Sequence, residues 1–304
     1  MSKICSKCKK TAITFIRYNG THLCKDHFIQ YFEKRVKKDI KKQGKTENGS
    51  NIGVAVSGGK DSTVALYIIY NIFSKRANID LYAISVDEGI KGYRDKSIEF
   101  AAKSCKKLGI RHHIVSFKDF FDVTMDQINS KHDEIGACSY CGVFRRFCLN
   151  IRAKELGVKK LVTGHNLDDM AQSILMNFIN GDVKKLARLG PHKKVQPGLV
   201  PRMFPLRTIP EKENALYAIV KNLEFHDAEC PYSNQALRGD FRNIINDLEY
   251  KNPGARHSIL NSYESIKELL FTKYSFGNLN KCQKCDQPTS QDFCKACILK
   301  DRIS

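Results

Sequence analysis

Asn51-Ile-Gly-Val-Ala-Val56 runs directly into Ser57-Gly58-Gly59-Lys60-Asp61-Ser62, and Val64, Leu66, Ile68 and Ile69 follow at helical spacing. An apolar run, a glycine pair and an amphipathic stretch in that order read as strand, tight turn and helix. The glycines remove side chains, so backbone N–H groups can surround phosphate oxygens, and the helix N-terminus adds the positive end of its dipole. Ser57 and Ser62 offer hydroxyl donors, Lys60 a positive charge, and Asp61 a carboxylate that can orient the loop or help hold Mg²⁺. The spacing is not that of a G-x-x-x-x-G-K-[ST] loop. Ser-Gly-Gly alone would be a turn with a serine cap; the whole hexapeptide at a strand-to-helix junction is much more specific.

Outward from this loop, strands are expected at Asp80–Val86, Arg111–Phe117 and Lys159–Thr163. Helices are expected at Tyr93–Leu108, Val143–Leu156 and Asp168–Ile179. The alternation predicts an α/β fold, a doubly wound parallel sheet, with binding at the C-terminal ends of its strands. Upstream, apolar residues from His22 to Lys42 predict a helix whose other face carries Lys34, Arg35, Lys37, Lys38, Lys41 and Lys42, followed by a linker at Gly44–Ser50. Downstream of a proline-punctuated stretch, helices are expected at Glu211–Asn222, Arg238–Glu249 and Ala255–Phe271. The expected domains are 1–43, a metal finger with the basic helix; 51–273, the catalytic core; and 274–304, a second finger.

The 304 residues are 42% hydrophobic and 27% charged, which excludes a disordered or fibrous chain. No apolar run of about 18 residues is present, so no membrane span is expected, and the residues Met1–Lys10, without an apolar stretch, are not expected to act as a secretory signal. A cytoplasmic protein is expected. Lys and Arg total 51 against 32 Asp and Glu, a formal charge of +19 that suits a polyanionic partner. Candidate phosphate contacts are the basic helix at 30–42 with Arg238, Arg242, Lys251 and Arg256. A solvated charged face is the more ordinary explanation of any single one, since charge alone steers without specifying.

Twelve cysteines in a reducing compartment point to metal or catalysis more than to disulfides. Cys282-x₂-Cys285-x₈-Cys294-x₂-Cys297 supplies two thiolate knuckles, enough to close a tetrahedral zinc shell. A rubredoxin-like iron site or a disulfide pair is the alternative. Cys5-x₂-Cys8-x₁₅-Cys24-x₂-His27 offers a second closed set, with His22 a competing ligand. Metal binding there would supply folding energy to segments with little core of their own. Cys138-x₂-Cys141, placed in a loop before a helix, and the distant Cys230 make three thiolates, one short of a closed shell. Alone, they allow a redox dithiol, a zinc half-site, a cluster half-site or a persulfide carrier. Cys105 and Cys148 fall among apolar residues and read as core, although Cys148 is a rival fourth ligand. His112, His113 and His192 are given no place in the site.

The hexapeptide Ser57–Ser62 resembles the PP-loop of the N-type ATP pyrophosphatase superfamily, which cleaves ATP to AMP and pyrophosphate while adenylating a substrate. The resemblance extends to Gly164-His-Asn-Leu-Asp-Asp169 and to Val86-Asp-Glu-Gly-Ile90. With the terminal cysteine clusters it covers nearly the whole chain and is greatest to the TtuA/NcsA group of tRNA 2-thiouridine synthetases. It implies a Rossmann-like PP-loop core between two zinc fingers, ATP and Mg²⁺ as cofactors, and a [4Fe–4S] cluster on Cys138, Cys141 and Cys230 with one iron open to sulfide. It places Ala55, Ile84 and Gly164 around the nucleotide. Arg145, where the family commonly has Lys, would face the cluster and the charge developing on phosphate, and Asp169 would do acid–base or orienting work, with Asp168 able to share it. Arginine does not readily deprotonate, which favours electrostatic stabilisation over proton transfer.

The implied reaction is 2-thiolation of a tRNA uridine, position 34 or 54, by adenylation of the C2 oxygen and sulfur transfer through the cluster. A thiocarboxylated ubiquitin-like carrier or free sulfide would be the donor, and a homodimer the expected assembly. Three alternatives compete. They are a tRNA cytidine 2-thiolase, a zinc-finger RNA-binding protein with a vestigial nucleotide site, and a PP-loop amidotransferase or synthetase that would leave the central cysteines idle.

Overall fold

The computed structural model describes residues 3–76, 78–131, 134–191, 195–233, 238–274 and 279–303. An N-terminal hairpin, β1 (Thr14–Ile16) and β2 (Thr21–Leu23), leads into α1 (Lys25–Lys42). His22 and Leu23 therefore lie in a strand rather than in the expected helix, because the chain must stay extended through Cys24 to close the cysteine knuckle. Phe28, Phe32, Val36 and Ile40 then bury one face of α1, each four residues after the last, as in a helix stripe.

The central sheet is built from β3 (Asn51–Ala55), β4 (Asp80–Asp87), β5 (Arg111–Ser116), β6 (Val158–Val162) and β7 (Arg202–Met203). All its pairings are parallel and the order is β5-β4-β3-β6-β7. The chain runs outward from β3 through β4 to β5, then returns to the other side of β3 with β6. The order reverses between β3 and β6, and the loops after these two strands meet at that switch point. The connecting helices are α2 (Lys60–Phe73), α3 (Arg94–Leu108), the short α4 (Phe117–Phe121) and α5 (Met125–Ser130), α6 (Ala137–Glu155), α7 (Leu167–Ile179) and α8 (Val183–Ala187). Phe117 leaves the expected third strand because Ser116 and Asp119 form a reciprocal cap that starts α4.

Strand alternation divides the interior. Ile52, Val54, Ala83 and Val162 pack with α1, α2 and α3 and with Tyr217 and Ala218 of α9 (Glu211–Val220). Tyr82, Ile84, Val86, Val115 and Leu161 face the opposite layer of α4, α5 and α6. The C-terminal segment, with β8 (Asn280–Lys281), β9 (Pro288–Thr289) and α12 (Lys295–Ile303), joins that second layer through Cys282, Cys297, Leu299 and Ile303. Helices α10 (Arg238–Lys251) and α11 (Ala255–Tyr274) pack on α7, and α11 also on α8. No helix among the described residues is long and apolar enough to cross a membrane.

Candidate active site

The loop from β3 to α2 is shaped by its own hydroxyls. Ser57 donates its backbone N–H to Ser62 Oγ at 3.1 Å and its hydroxyl to the same oxygen at 3.0 Å, while Ser62 donates onward to the Gly59 carbonyl at 2.9 Å. Gly58 is required twice over: its φ is +84°, and a methyl there would stand 1.8 Å from the Ser97 carbonyl oxygen of α3. Gly164, after β6, lies so close to the start of α2 that a methyl would be 2.8 Å from the Asp61 carbonyl carbon. The two switch-point loops are thus pressed together, and neither has room for a side chain at the contact.

Charges around the loop are paired in a definite pattern. Lys60 Nζ is 2.9 Å from Glu211 Oε1, and Asn214 donates its side-chain amide to the Asp61 carboxylate. Burial, opposed by Lys60 and Asn214 and reinforced by Asp169 and Glu211, pushes the Asp61 carboxyl up to about 6. Asp61 and Asp169 therefore share one field at the phosphate side. Ala55 and Ile84 sit opposite each other in the β3–β4 ladder. The Ile84 side chain is fully buried, and its carbonyl already accepts the Val56 N–H at 2.9 Å.

Cys138 and Cys141 occupy the first turns of α6, not a loop before it. The helix begins at Ala137 because Tyr140, Phe144 and Cys148 extend its buried stripe toward the N-terminus. Arg145 then stands one turn from Cys141 and donates Nη2–H to its sulfur at 3.0 Å. Cys230 arrives on the segment after α9. That segment is fastened to the phosphate loop by the His226 N–H, 2.9 Å from the Gly58 carbonyl, and by ring contacts of His226 with Tyr93 and Phe100. Cys138, Cys141, Cys230, Arg145, Tyr93 and Arg242 line one cavity of about 820 Å³. Burial raises the thiol pKa values of Cys138 and Cys141, with Arg145 pulling both the other way. A cavity of this size carrying three thiols fits a thiolate-held cluster with one ligand position left to a non-protein group. Cys148 does not line it: it is fully buried among aromatic rings, with its thiol pushed up to about 12 by burial. Cys105 is buried with the same shift and the same cause.

The terminal clusters assemble as two compact donor sets. The ligand atoms of Cys5, Cys8, Cys24 and His27 lie within 4.8 Å of one another, as do those of Cys282, Cys285, Cys294 and Cys297. Sulfur–sulfur separations of 3.8 Å for Cys8–Cys24, 3.8 Å for Cys282–Cys297 and 3.6 Å for Cys285–Cys294 are far beyond a disulfide bond. They match the edge of a tetrahedron with metal–sulfur bonds of ~2.3 Å, which is ~3.8 Å. His22 stacks on Phe15 at 4.3 Å and is not part of the first set.

Comparison with known proteins agrees with this architecture. Residues 30–248 match the PP-loop domain family, and residues 4–29 match the N-terminal LIM domain of the 2-thiouridine synthetase TtuA. The tRNA 2-thiolation protein NcsA of Haloferax volcanii is 42% identical, with 98% of each chain covered. The chain belongs to the PP-loop tRNA 2-thiolation family. The tRNA-5-methyluridine(54) 2-sulfurtransferase of Pyrococcus horikoshii is 33% identical over 96% of this chain and 92% of its own. Among solved structures, the U34-tRNA thiolase NcsA from Methanococcus maripaludis with its [4Fe-4S] cluster superposes with a TM-score of 0.85. It is 36% identical and the match covers 99% of this chain and 97% of that one.

Within this family member, the two acidic residues after β6 have separate positions. Asp169 caps α7 reciprocally with Asn166, its carboxylate accepting the Asn166 N–H at 3.1 Å. Asp168 is engaged elsewhere. Its oxygens are 2.6 Å from Arg256 Nε and 2.8 Å from the Glu211 N–H, in a buried position. The same pair removes Arg256 from the candidate phosphate contacts. Arg35 is removed as well, since it bridges Glu213 at 2.6 Å and Tyr18 at 2.7 Å between α1 and α9. Lys34, Lys37, Lys38, Lys41, Lys42 and Lys251 remain exposed, and Arg242 opens onto the cavity. The side chain of Arg238, and His192, lie outside the described residues. His112 is bonded to Ser85 Oγ at 2.7 Å, and the His113 ring lies 5.8 Å from that of Tyr82, both within the sheet.

Two residues given no role by sequence reasoning connect the loop to the thiols. Arg94, at the start of α3, donates Nη1–H to the Ser57 carbonyl at 2.8 Å. Glu88 lies between Arg94 and Arg145, 2.6 Å from Nε of the first and 2.9 Å from Nε of the second. Glu88 lies in the Val86–Ile90 stretch, and its partners come from two separate helices, α3 and α6.

Proposed function

We propose that this chain is an ATP-dependent tRNA uridine 2-sulfurtransferase acting in the cytoplasm at position 34 or 54, the positions named for its relatives. The observation that carries this reading is the three-thiol cavity, one wall of which is the segment bonded to the phosphate loop. A nucleotide-activating site and a sulfur-handling site thus share a boundary.

A uridine C2 oxygen is a poor leaving group until it is phosphorylated. Ser57, Gly58, Gly59, Lys60 and Ser62 would grip the pyrophosphate portion of ATP through backbone N–H groups, hydroxyls and the α2 dipole. Asp61 would be the carboxylate available to Mg²⁺ beside those phosphates, and Ala55, Ile84 and Gly164 would border the nucleotide. The uridine oxygen then attacks the α-phosphate and pyrophosphate departs. Arg145, kept protonated by Glu88, would stabilise the negative charge that develops. Asp169 would orient the uridine or take up a proton. A [4Fe–4S] cluster held by Cys138, Cys141 and Cys230 would supply an open iron for sulfide. Sulfur displaces AMP from C2, and the original uridine oxygen leaves on AMP.

The two terminal donor sets suit structural Zn²⁺, since each is closed and leaves no position for substrate. The exposed lysines of α1 are the contacts proposed for the tRNA backbone. A thiocarboxylated ubiquitin-like carrier or sulfide is the proposed donor, and a homodimer the proposed assembly. The test is isotopic. With tRNA carrying ¹⁸O at uridine C2, the proposal expects ¹⁸O in the released AMP; AMP without label would exclude adenylation of the base.

A further inference from the structure

The carboxylate of Glu88 is almost wholly buried and divides its oxygens between two arginines from different helices, Oε2 to Arg94 and Oε1 to Arg145. Its backbone is fixed on both sides. The Glu88 carbonyl accepts the Met125 N–H at 2.7 Å, and the Gly89 N–H is tied to the Asp87 carboxylate at 2.8 Å. Gly89 itself has φ +69°, with Thr124 so close that a methyl would stand 2.7 Å from Thr124 Cβ. Arg94 is equally fixed, by the Val86 carbonyl at 2.7 Å, Ser97 Oγ at 3.0 Å and the Ser57 carbonyl of the phosphate loop. Arg145 differs. Its side chain is about half exposed, at 49%, and the contacts that hold its guanidinium are Glu88 and the Cys141 sulfur.

One acid between two bases leaves the trio with a net positive charge. A long side chain on a helix surface samples many rotamers unless an anchor selects one. We propose that Glu88 is a positioning residue that holds the Arg145 guanidinium against Cys141 and, through Arg94, sets that pair at a fixed offset from the phosphate loop. A lysine in place of Arg145 would have to serve the carboxylate and the sulfur from one nitrogen, without a fixed direction for either bond. The arginine fork reaches both at once. The inference builds on the proposed thiolase reading, but its first test does not use thiolation at all.

That test is the rate of iodoacetamide modification of Cys141 in the cluster-free full chain at pH 7, read by peptide mass spectrometry. Arg145→Ala is expected to change the rate roughly threefold or more, because the guanidinium that covers and bonds the Cys141 sulfur is lost. Glu88→Gln and Glu88→Asp are expected to change it in the same direction as Arg145→Ala. The double variant Glu88→Gln/Arg145→Ala should match Arg145→Ala alone, as befits a residue acting through another. A wild-type rate in Glu88→Gln and Glu88→Asp, a wild-type rate in Arg145→Ala, or additive effects in the double variant would each overturn the proposal. Thermal melting of each variant shows that a folded chain is being compared, and Glu88→Asp serves if Glu88→Gln does not fold. In the loaded enzyme the same cycle should lower kcat about tenfold with KM for tRNA nearly unchanged, again without additivity. Loss of that second result alone, with the thiol result intact, would count against the thiolase reading and not against the positioning role.

Discussion

His226 donates its backbone N–H to the Gly58 carbonyl at 2.9 Å, and Cys230 follows four residues later on the same segment. The bond joins a phosphate-binding loop to the wall of a thiol-lined cavity. His226→Pro removes the donor, whereas His226→Ala keeps it and removes only the ring contacts with Tyr93 and Phe100. We expect His226→Pro to weaken ATP binding and to lower the iron retained per chain together, with His226→Ala close to wild type. Calorimetry with ATP and iron analysis after anaerobic reconstitution check the pair.

Gly58→Ala tests the loop itself. A methyl 1.8 Å from the Ser97 carbonyl, at a φ of +84°, forces the loop away from α3. Strain at such a position costs about 1–3 kcal/mol, and the loop N–H groups move off the phosphates. The expected result is loss of measurable ATP binding with a lower Tm.

Asp168 and Asp169 should separate stability from activity. Asp168→Asn breaks a buried pair with Arg256 and should destabilise the fold by about 3 kcal/mol. Asp169→Asn can retain the α7 cap, so its urea midpoint should stay near wild type while thiolation falls at least tenfold, on the order expected for a lost acid–base group. Equal effects of the two substitutions on activity at equal stability would remove the role given to Asp169.

The interior histidine sets an acid limit. Burial first, and the neighbouring Arg35 second, hold His257 down at about 4, and Arg35 Nη2 donates to its Nε2 at 3.2 Å, which requires an unprotonated acceptor. The unfolded chain binds a proton near pH 6.5 and the folded chain does not. Stability from this group is therefore complete above about pH 6.5 and is lost as pH falls toward 4, by no more than about 3 kcal/mol. Urea denaturation between pH 7 and pH 4 should show His257→Gln with a shallower decline than wild type.

Metal removal gives a count. Prolonged chelation should release two zinc equivalents per chain. Cys285→Ser should release one and loosen the C-terminal segment from α6, whose core it shares. Finding no zinc in the purified protein would sink both assignments.

The parts of this molecule legible in its sequence are those with local causes. The loop Ser57–Ser62, the strands on either side of it and the terminal knuckles are written in neighbouring residues, and the structure places them within a residue or two of the reading. The start of α6 was hidden because Gly142 reads as a breaker, yet the stripe Ala137, Tyr140, Phe144 and Cys148 carries the helix through it. Arg35 and Arg256 read as surface cations because their partners, Glu213 and Asp168, are distant in the chain and meet them only after folding. Glu88 was silent for the same reason. Its meaning depends on two arginines from separate helices, a relation no periodicity records.

The most direct measurement is anaerobic turnover of unmodified tRNA with ATP, Mg²⁺ and sulfide by the reconstituted enzyme, followed by nucleoside mass spectrometry and fragment mapping. A 2-thiolated uridine or 5-methyluridine at position 34 or 54 is expected, and none with Cys141→Ala. A 2-thiocytidine product, or no thionucleoside from a chain that retains its cluster and binds tRNA and ATP when supplied with either sulfide or a thiocarboxylated carrier, would contradict this expectation.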